Sequence, residues 1–249
     1  MTLAAVDNTK SAPRIEYKYL VPTVQTSRLV NALRDHCLLD EHSLTIDGYT
    51  VASIYFDNVE FKAYHDKMAG LDERFKFRVR FYPDSMQDVF TAPSCQVEMK
   101  YKNGDHISKS KALITPVQLQ DLLKGDFGRI DHSNTPIMNH VYRLMKVDRF
   151  IPAVRVDYRR LAMFGKQDGN VRITLDTHVK CSRRCRDIID VPSLPCLPRN
   201  LGILEIKTPG YFPIWLTKLV RKYDLTRTAV SKYAAAVQVV AHNSSLFLK

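Results

Sequence analysis

Hydrophobic and polar residues alternate strictly over residues 72–82. Phe75, Phe77, Val79 and Phe81 fall on one side of an extended chain, and Arg74, Lys76, Arg78 and Arg80 on the other. Such a pattern predicts an antiparallel strand with one apolar and one polar face. Four cations in a row repel one another, so something anionic is expected to offset them. The habit recurs along the chain. Residues 14–21 predict a first strand, with Ile15, Tyr17 and Tyr19 opposite Arg14, Glu16 and Lys18. Residues 49–57 predict a second. Gln96, Glu98, Lys100 and Lys102 then alternate with Val97, Met99 and Tyr101, and Asn103-Gly104 predicts a hairpin returning through residues 108–111. Residues 151–164 predict a long strand in which Val154, Val156 and Tyr158 alternate with Arg155, Asp157 and Arg159. Beyond a turn at 167–170, residues 171–176 place Arg172, Thr174 and Asp176 on a polar face. Residues 202–208 do the same for Glu205 and Lys207.

Helical periodicity predicts helices over 22–39, 58–68, 115–123, 136–148, 213–223 and 228–240. Thr115-Pro116 is a strong start signal, with Pro at the first helical position. Residues 181–200, with Pro192, Pro195 and Pro198, predict an excursion from the core. No repeat or linker divides the chain. It reads as one domain over 14–241, with a disordered lead at 1–13 and a short tail at 242–249.

Charge changes the picture. Among 249 residues, 37 Lys and Arg face 26 Asp and Glu, a formal net charge of +11. That surplus favours nucleic acid, anionic lipid or a polyanionic substrate without choosing among them. No apolar run is long enough to cross a membrane, and the lead lacks the apolar core of a signal peptide. The five cysteines are an odd, scattered set. Cys181, Cys185 and Cys196, even with His178, lack a regular zinc spacing, and free thiols in a reducing cytoplasm are expected.

The polar faces share a charge-x-charge form: Glu16-x-Lys18, Arg78-x-Arg80, Glu98-x-Lys100 and Glu205-x-Lys207. Mixed charges are ordinary on a solvated strand face, but plain wet strands carry more Thr and Ser. Strands of this kind predict an α+β fold, a closed antiparallel β barrel forming a charged tunnel with helices packed outside. A charged interior requires water, pairing and a ligand for the remaining charge. Lys18, Arg78, Arg80, Lys100, Arg155, Arg159, Arg172 and Lys207 are the candidate cations there, and Glu16, Glu98, Asp176 and Glu205 the acids. Guanidinium forks and ammonium points suit phosphate oxygens, and one or two carboxylates suit Mg²⁺ or Mn²⁺ held against phosphate. No glycine-rich nucleotide loop is present.

The ordered set Glu16-Tyr-Lys18, Arg78-Val-Arg80, Glu98-Met-Lys100, Arg155-Val-Asp-Tyr-Arg159, Arg172-Ile-Thr, Glu205-Ile-Lys207 and Ser231-Lys-Tyr233 resembles the VTC domain. This is the catalytic domain of polyphosphate polymerases, in the triphosphate tunnel (CYTH-like) superfamily. The resemblance implies a tunnel-shaped barrel of about eight strands. It also implies transfer of the γ-phosphoryl group of ATP onto a polyphosphate chain, with Mn²⁺ or Mg²⁺ as cofactor. By the same resemblance Arg78, Arg80, Arg159, Arg172 and Lys232 grip phosphate, joined by Lys18, Lys100, Lys109, Lys111, Arg155 and Lys207. Glu205 is the main metal ligand, with Glu98 as a second. Superfamily members commonly open with Glu-x-Glu-x-Lys; here Arg14 replaces the first acid. Fewer acids suit a polymerase better than a hydrolase. The fungal enzymes' sensor domain and membrane segments are not in this sequence, so the expected setting is the cytoplasm, or the inner face of a membrane alongside a partner protein. The partners are ATP and polyphosphate. Two other functions stay open: a metal-dependent triphosphatase on the same scaffold, and a nonenzymatic polyanion or nucleic-acid binder. Against the binder, no aromatic stacking platform accompanies the cations.

Overall fold

Every strand among the described residues joins one antiparallel sheet. The computed structural model describes residues 15–43, 45–83, 94–104, 106–130, 135–183 and 193–243. The expected lead at 1–13, Arg14, Cys185 and the end of the tail at 244–249 lie outside the described residues. The elements run β1 (Ile15–Pro22), α1 (Thr23–Arg34), β2 (Cys37–Leu39), β3 (Tyr49–Asp57), α2 (Lys62–Met68), β4 (Arg74–Phe81), β5 (Cys95–Asn103) and β6 (His106–Ile114). They continue α3 (Pro116–Lys124), α4 (Pro136–Lys146), β7 (Ile151–Gly165), β8 (Arg172–Ser182), β9 (Leu194–Pro195), β10 (Leu201–Thr208), α5 (Ile214–Lys222) and α6 (Lys232–His242). The sheet order is β1-β10-β8-β7-β3-β4-β5-β6, with β2 beside β7 and β9 beside β8. Among the described residues, no helix is long and apolar enough to cross a membrane.

The fold is α+β, but the expected closed barrel does not form: β1 and β6, the two ends of the order, are not paired with each other. The reason lies in the segment leading to α6. Arg227 bridges Tyr19, and the Thr228 amide donates to the Lys18 carbonyl at 2.8 Å. The outer edge of β1 is therefore met by residues 227–228 instead of β6. The sheet still curls strongly, because Lys100 on β5 and Lys109 on β6 lie within electrostatic reach of Glu16 on β1 and of Lys207 and Glu205 on β10. The charged face is the concave one.

Helices cover the convex face in two groups. Phe77, Val79 and Phe81 of β4 pack with Ile54, Phe56 and Val97 under α3 and α4, a core that includes Leu119, Leu122, Met138 and Val141. The Thr115 hydroxyl accepts from Gln118 N, and the Gln118 side chain returns the bond to the Thr115 amide. On the other half of the sheet, Val21, Leu161, Ile173 and Ile206 pack under α1 and α5 with Leu29, Leu33 and Leu216. Losing one such buried side chain to Ala would cost about 2–5 kcal/mol.

A third cluster lies on the concave side. There α6, through Tyr233, Ala236, Val237 and Val240, packs on Val51, Tyr55, Val156 and Ile203. Ser231 caps α6, its hydroxyl accepting from Ala234 N. The expected start at 228 moves to Lys232 because residues 227–228 bond to β1 instead. The first helix likewise ends at Arg34, short of 39, since Cys37–Leu39 pairs with the far end of β7. The second begins at Lys62, because Asp57 and Asn58 accept from the amides of residues 62–64 as caps.

Candidate functional site

The register of the sheet sets which charges meet. On β4, Arg74, Lys76, Arg78 and Arg80 all face the concavity, and the Arg78 and Arg80 positions lie opposite Glu98 and Gln96 of β5. Glu98 spends both oxygens on guanidinia. Arg78 Nε donates to Oε2 at 2.8 Å, while Arg80 Nη1 lies 3.2 Å from Oε1. Arg78 Nη1 also donates to the Tyr55 hydroxyl at 3.1 Å. Arg80 Nε, together with Ser53 Oγ and Thr174 Oγ1 on the same face, is buried without a hydrogen-bond partner.

Across the concavity, β1 and β10 bring Glu16, Lys18, Glu205 and Lys207 together. Lys207 Nζ lies 2.6 Å from Glu205, and Lys18 Nζ lies 2.9 Å from Glu16 and 3.7 Å from Glu205. Burial would raise the Glu205 carboxyl, but Lys207, Lys18 and Lys232 outweigh it and hold the carboxyl well below its usual range. Burial and Glu205 likewise push the Glu16 carboxyl up, and Lys18, Lys207 and Lys100 bring it down overall. Lys232, the first residue of α6, reaches Asp176 at 2.6 Å. Arg160 grips the same carboxylate with Nε at 2.7 Å and Nη2 at 2.8 Å.

The lysines at the β4–β5–β6 side of this face are the informative cations. Burial lowers the Lys76 ammonium to about 8, with repulsion from Lys18, Arg78 and Lys100 adding to it. Lys100 is lowered for the same two reasons, burial and neighbouring lysines. Lys109 and Lys111 line the concave side of β6, opposite Lys100 and Glu98, and both are exposed. Tyr55 sits among this charge. Burial alone would raise its phenol, yet Arg78, Lys76, Lys232 and Arg80 pull it down to about 8.

The structure brings Lys18, Arg78, Arg80, Glu98, Lys100, Lys109, Lys111, Glu205, Lys207 and Lys232 to one face. Arg172 stands at its margin, 3.0 Å from Asp40. It does not bring Arg155 or Arg159 there. Arg155 pairs across the sheet with Ile54 on the convex side, lies over the Phe81 ring and bonds to Asp157 at 2.9 Å. Arg159 faces Thr50 and donates to the Asp47 and Gly48 carbonyls at 3.1 and 3.0 Å. The concave residues of β7 include Val154, Val156, Tyr158 and Arg160. Arg160 is the cation that sequence reasoning missed. Its signal was there: two places beyond Tyr158, the apolar-looking phase turns polar.

The acids fit a divalent ion only in part. Glu98 is fully engaged by Arg78 and Arg80. Among the described residues, no group of three or more His, Cys, Asp or Glu could hold a metal. Glu16 and Glu205 form a pair of adjacent carboxylates, which suits an ion of the Mg²⁺ type. Such ions take one or two carboxylates and complete their shell with phosphate oxygens and water. The donor set fits an ion arriving with phosphate. Cys181 and Cys196 are buried free thiols hydrogen-bonded to each other.

The VTC domain model matches residues 13–241. No curated protein matches the sequence. Among solved structures, a candidate adenylate cyclase from Bacillus halodurans shares the fold with a TM-score of 0.55 at 11% identity, over 88% of this chain and 95% of that one. A candidate adenylate cyclase from Vibrio parahaemolyticus superposes with a TM-score of 0.49 at 13% identity, over 91% of this chain and 98% of the other. With nearly its whole length matched, the chain belongs to the VTC domain family, within the CYTH-like, triphosphate-tunnel superfamily of nucleotide- and phosphate-processing proteins.

Proposed function

We propose that this protein is a polyphosphate polymerase, transferring the γ-phosphoryl group of ATP to the end of a polyphosphate chain. One observation carries the reading beyond family membership. The concave face gathers cations in excess of its acids and buries Arg80 Nε, Ser53 Oγ and Thr174 Oγ1 without partners. Phosphate oxygens would offset that excess of positive charge.

In this reading Arg78, Arg80, Arg160 and Arg172 grip the donor phosphates with planar forks, and Lys18, Lys207 and Lys232 add point charges. Lys100, Lys109 and Lys111 extend the cationic track along β5 and β6 for the acceptor chain. Glu205, helped by Glu16, would hold Mn²⁺ or Mg²⁺, which when bound supplies positive charge to the phosphate oxygens. The acceptor needs no general base, because a polyphosphate end is already ionised near neutral pH. Catalysis is then positioning plus electrostatic stabilisation of the charge spread over the transferring group.

The test is incubation with ATP and Mn²⁺, read on a gel for polyphosphate and by colorimetry for orthophosphate. Long polyphosphate is expected; orthophosphate alone would assign a triphosphatase instead. Glu205→Gln should remove metal-dependent turnover while leaving the circular dichroism spectrum unchanged. Full activity in that variant would overturn the role given to Glu205.

A further inference from the structure

Aromatic rings border the charged face where Arg160 and Arg172 stand. The His42 and Tyr49 centroids are 6.1 Å apart and edge-on; those of Tyr49 and Tyr82 are 5.9 Å apart and tilted by 56°. These contacts leave the ring faces unstacked by one another. Tyr49 is the direct cross-strand partner of Arg160, and its phenol lies within electrostatic reach of Arg160, Asp40 and Arg172. Tyr82 is 43% exposed, and Tyr49 is half-buried beneath it. An aromatic surface this open, joined to two guanidinia, matches a ligand with a flat ring at one end and phosphates at the other.

We infer that Tyr49, Tyr82 and His42 seat the nucleobase of the donor nucleotide, with its phosphates continuing past Arg160 and Arg172 into the concavity. The inference rests on the phosphoryl-transfer reading above and adds where the non-phosphate end of the donor binds. The seat offers ring faces, and it selects by ring area. Purine nucleotides bind more tightly than pyrimidine nucleotides, and any nucleoside triphosphate more tightly than bare tripolyphosphate. Burial pushes the Tyr49 phenol up to about 12, so it remains neutral at physiological pH and does not repel the phosphates.

Calorimetric titration of the full chain with ATP and, separately, with inorganic tripolyphosphate, both with Mn²⁺, tests the seat. Tyr82→Ala should weaken ATP roughly tenfold, as loss of one stacked base contact does, and leave tripolyphosphate unchanged. Tyr82→Phe, which keeps the ring, should bind ATP like the parent. Equal weakening of both ligands by Tyr82→Ala, or no weakening of ATP, overturns the seat. A parent protein that binds neither ligand overturns the phosphate-site reading itself, and the seat falls with it. If Tyr82→Ala does not fold, His42→Ala, at a side chain 70% exposed, carries the same comparison.

Discussion

Lys232 Nζ lies 2.6 Å from Asp176 Oδ2, joining the first turn of α6 to the middle of β8. A cation in the first turn of a helix opposes the helix dipole, so Asp176 offsets an unfavourable placement and locks α6 over the concavity. Asp176 is fully buried and also bound by Arg160. Asp176→Asn would leave two cations without their acid and should destabilise the fold by about 3–5 kcal/mol, measured by urea denaturation.

The same carboxylate makes an acid-stability prediction. Burial would raise it, but Arg160 and Lys232 hold it down at about 2. A folded value below the unfolded one contributes stability that is full above about pH 4 and is lost as pH falls toward 2. The parent should lose on the order of 2 kcal/mol across that window through this one group. Asp176→Asn should show a correspondingly flatter decline.

Anion binding should take up protons near pH 8. Lys76 and Tyr55 both stand at about 8: burial lowers Lys76 and neighbouring cations add to it, while for Tyr55 burial raises the phenol and neighbouring cations outweigh it. A bound polyanion neutralises those cations and raises both groups, so each is more protonated in the complex. Titration with tripolyphosphate in buffers of different ionisation enthalpy should report this uptake, and Lys76→Met and Tyr55→Phe should each reduce it. Without ligand, Lys76 is less readily protonated folded than unfolded, so its contribution to stability falls as pH drops through 8. Lys76→Met should therefore raise the melting temperature at pH 7 while weakening tripolyphosphate binding.

The two faces of β7 make a paired prediction. Arg160→Lys replaces a fork by a point charge on the concave side and should weaken tripolyphosphate about tenfold, the worth of one charge-assisted hydrogen bond. Arg159→Lys changes a convex-side contact to Thr50 and two carbonyls and should leave affinity within about twofold.

Gly48 makes a backbone prediction. It has a φ of +66°, and a Cβ there would lie 2.0 Å from the Arg160 carbonyl oxygen. Gly48→Ala must displace the very residue that carries the fork. It should cost about 3 kcal/mol and weaken tripolyphosphate as well.

Much of this was legible because strand alternation is a local property. Phe77 and Val79 point into the core and Arg78 and Arg80 away from it, as their spacing predicts. The phase of β7 was not legible in that way. Arg155 and Arg159 read as polar-face residues, yet the convex face there carries the buried Arg155–Asp157 pair, while Val154 and Val156 pack against α6 on the concave side. Apolar residues mark a covered face, and here α6 covers the inside. Closure failed for a related reason. Whether β6 meets β1 depends on what else can reach the edge of β1, and residues 227–228 reach it from far along the chain. The short strands β2 and β9 exist only as partners of β7 and β8, so nothing in their own sequence marks them. The grouping of His42, Tyr49 and Tyr82 likewise exists only once β3 and β4 are paired.

The unmade pairing between β1 and β6 has a topological meaning. A linear polymer inside a closed ring must be threaded end-first and can leave only by sliding along its own length. A polymer lying on an open, curved sheet can be laid in and lifted out sideways at any point. Residues 227–228 meet one edge of β1, so among the described residues the sheet forms no eyelet through which a linear ligand would have to be threaded.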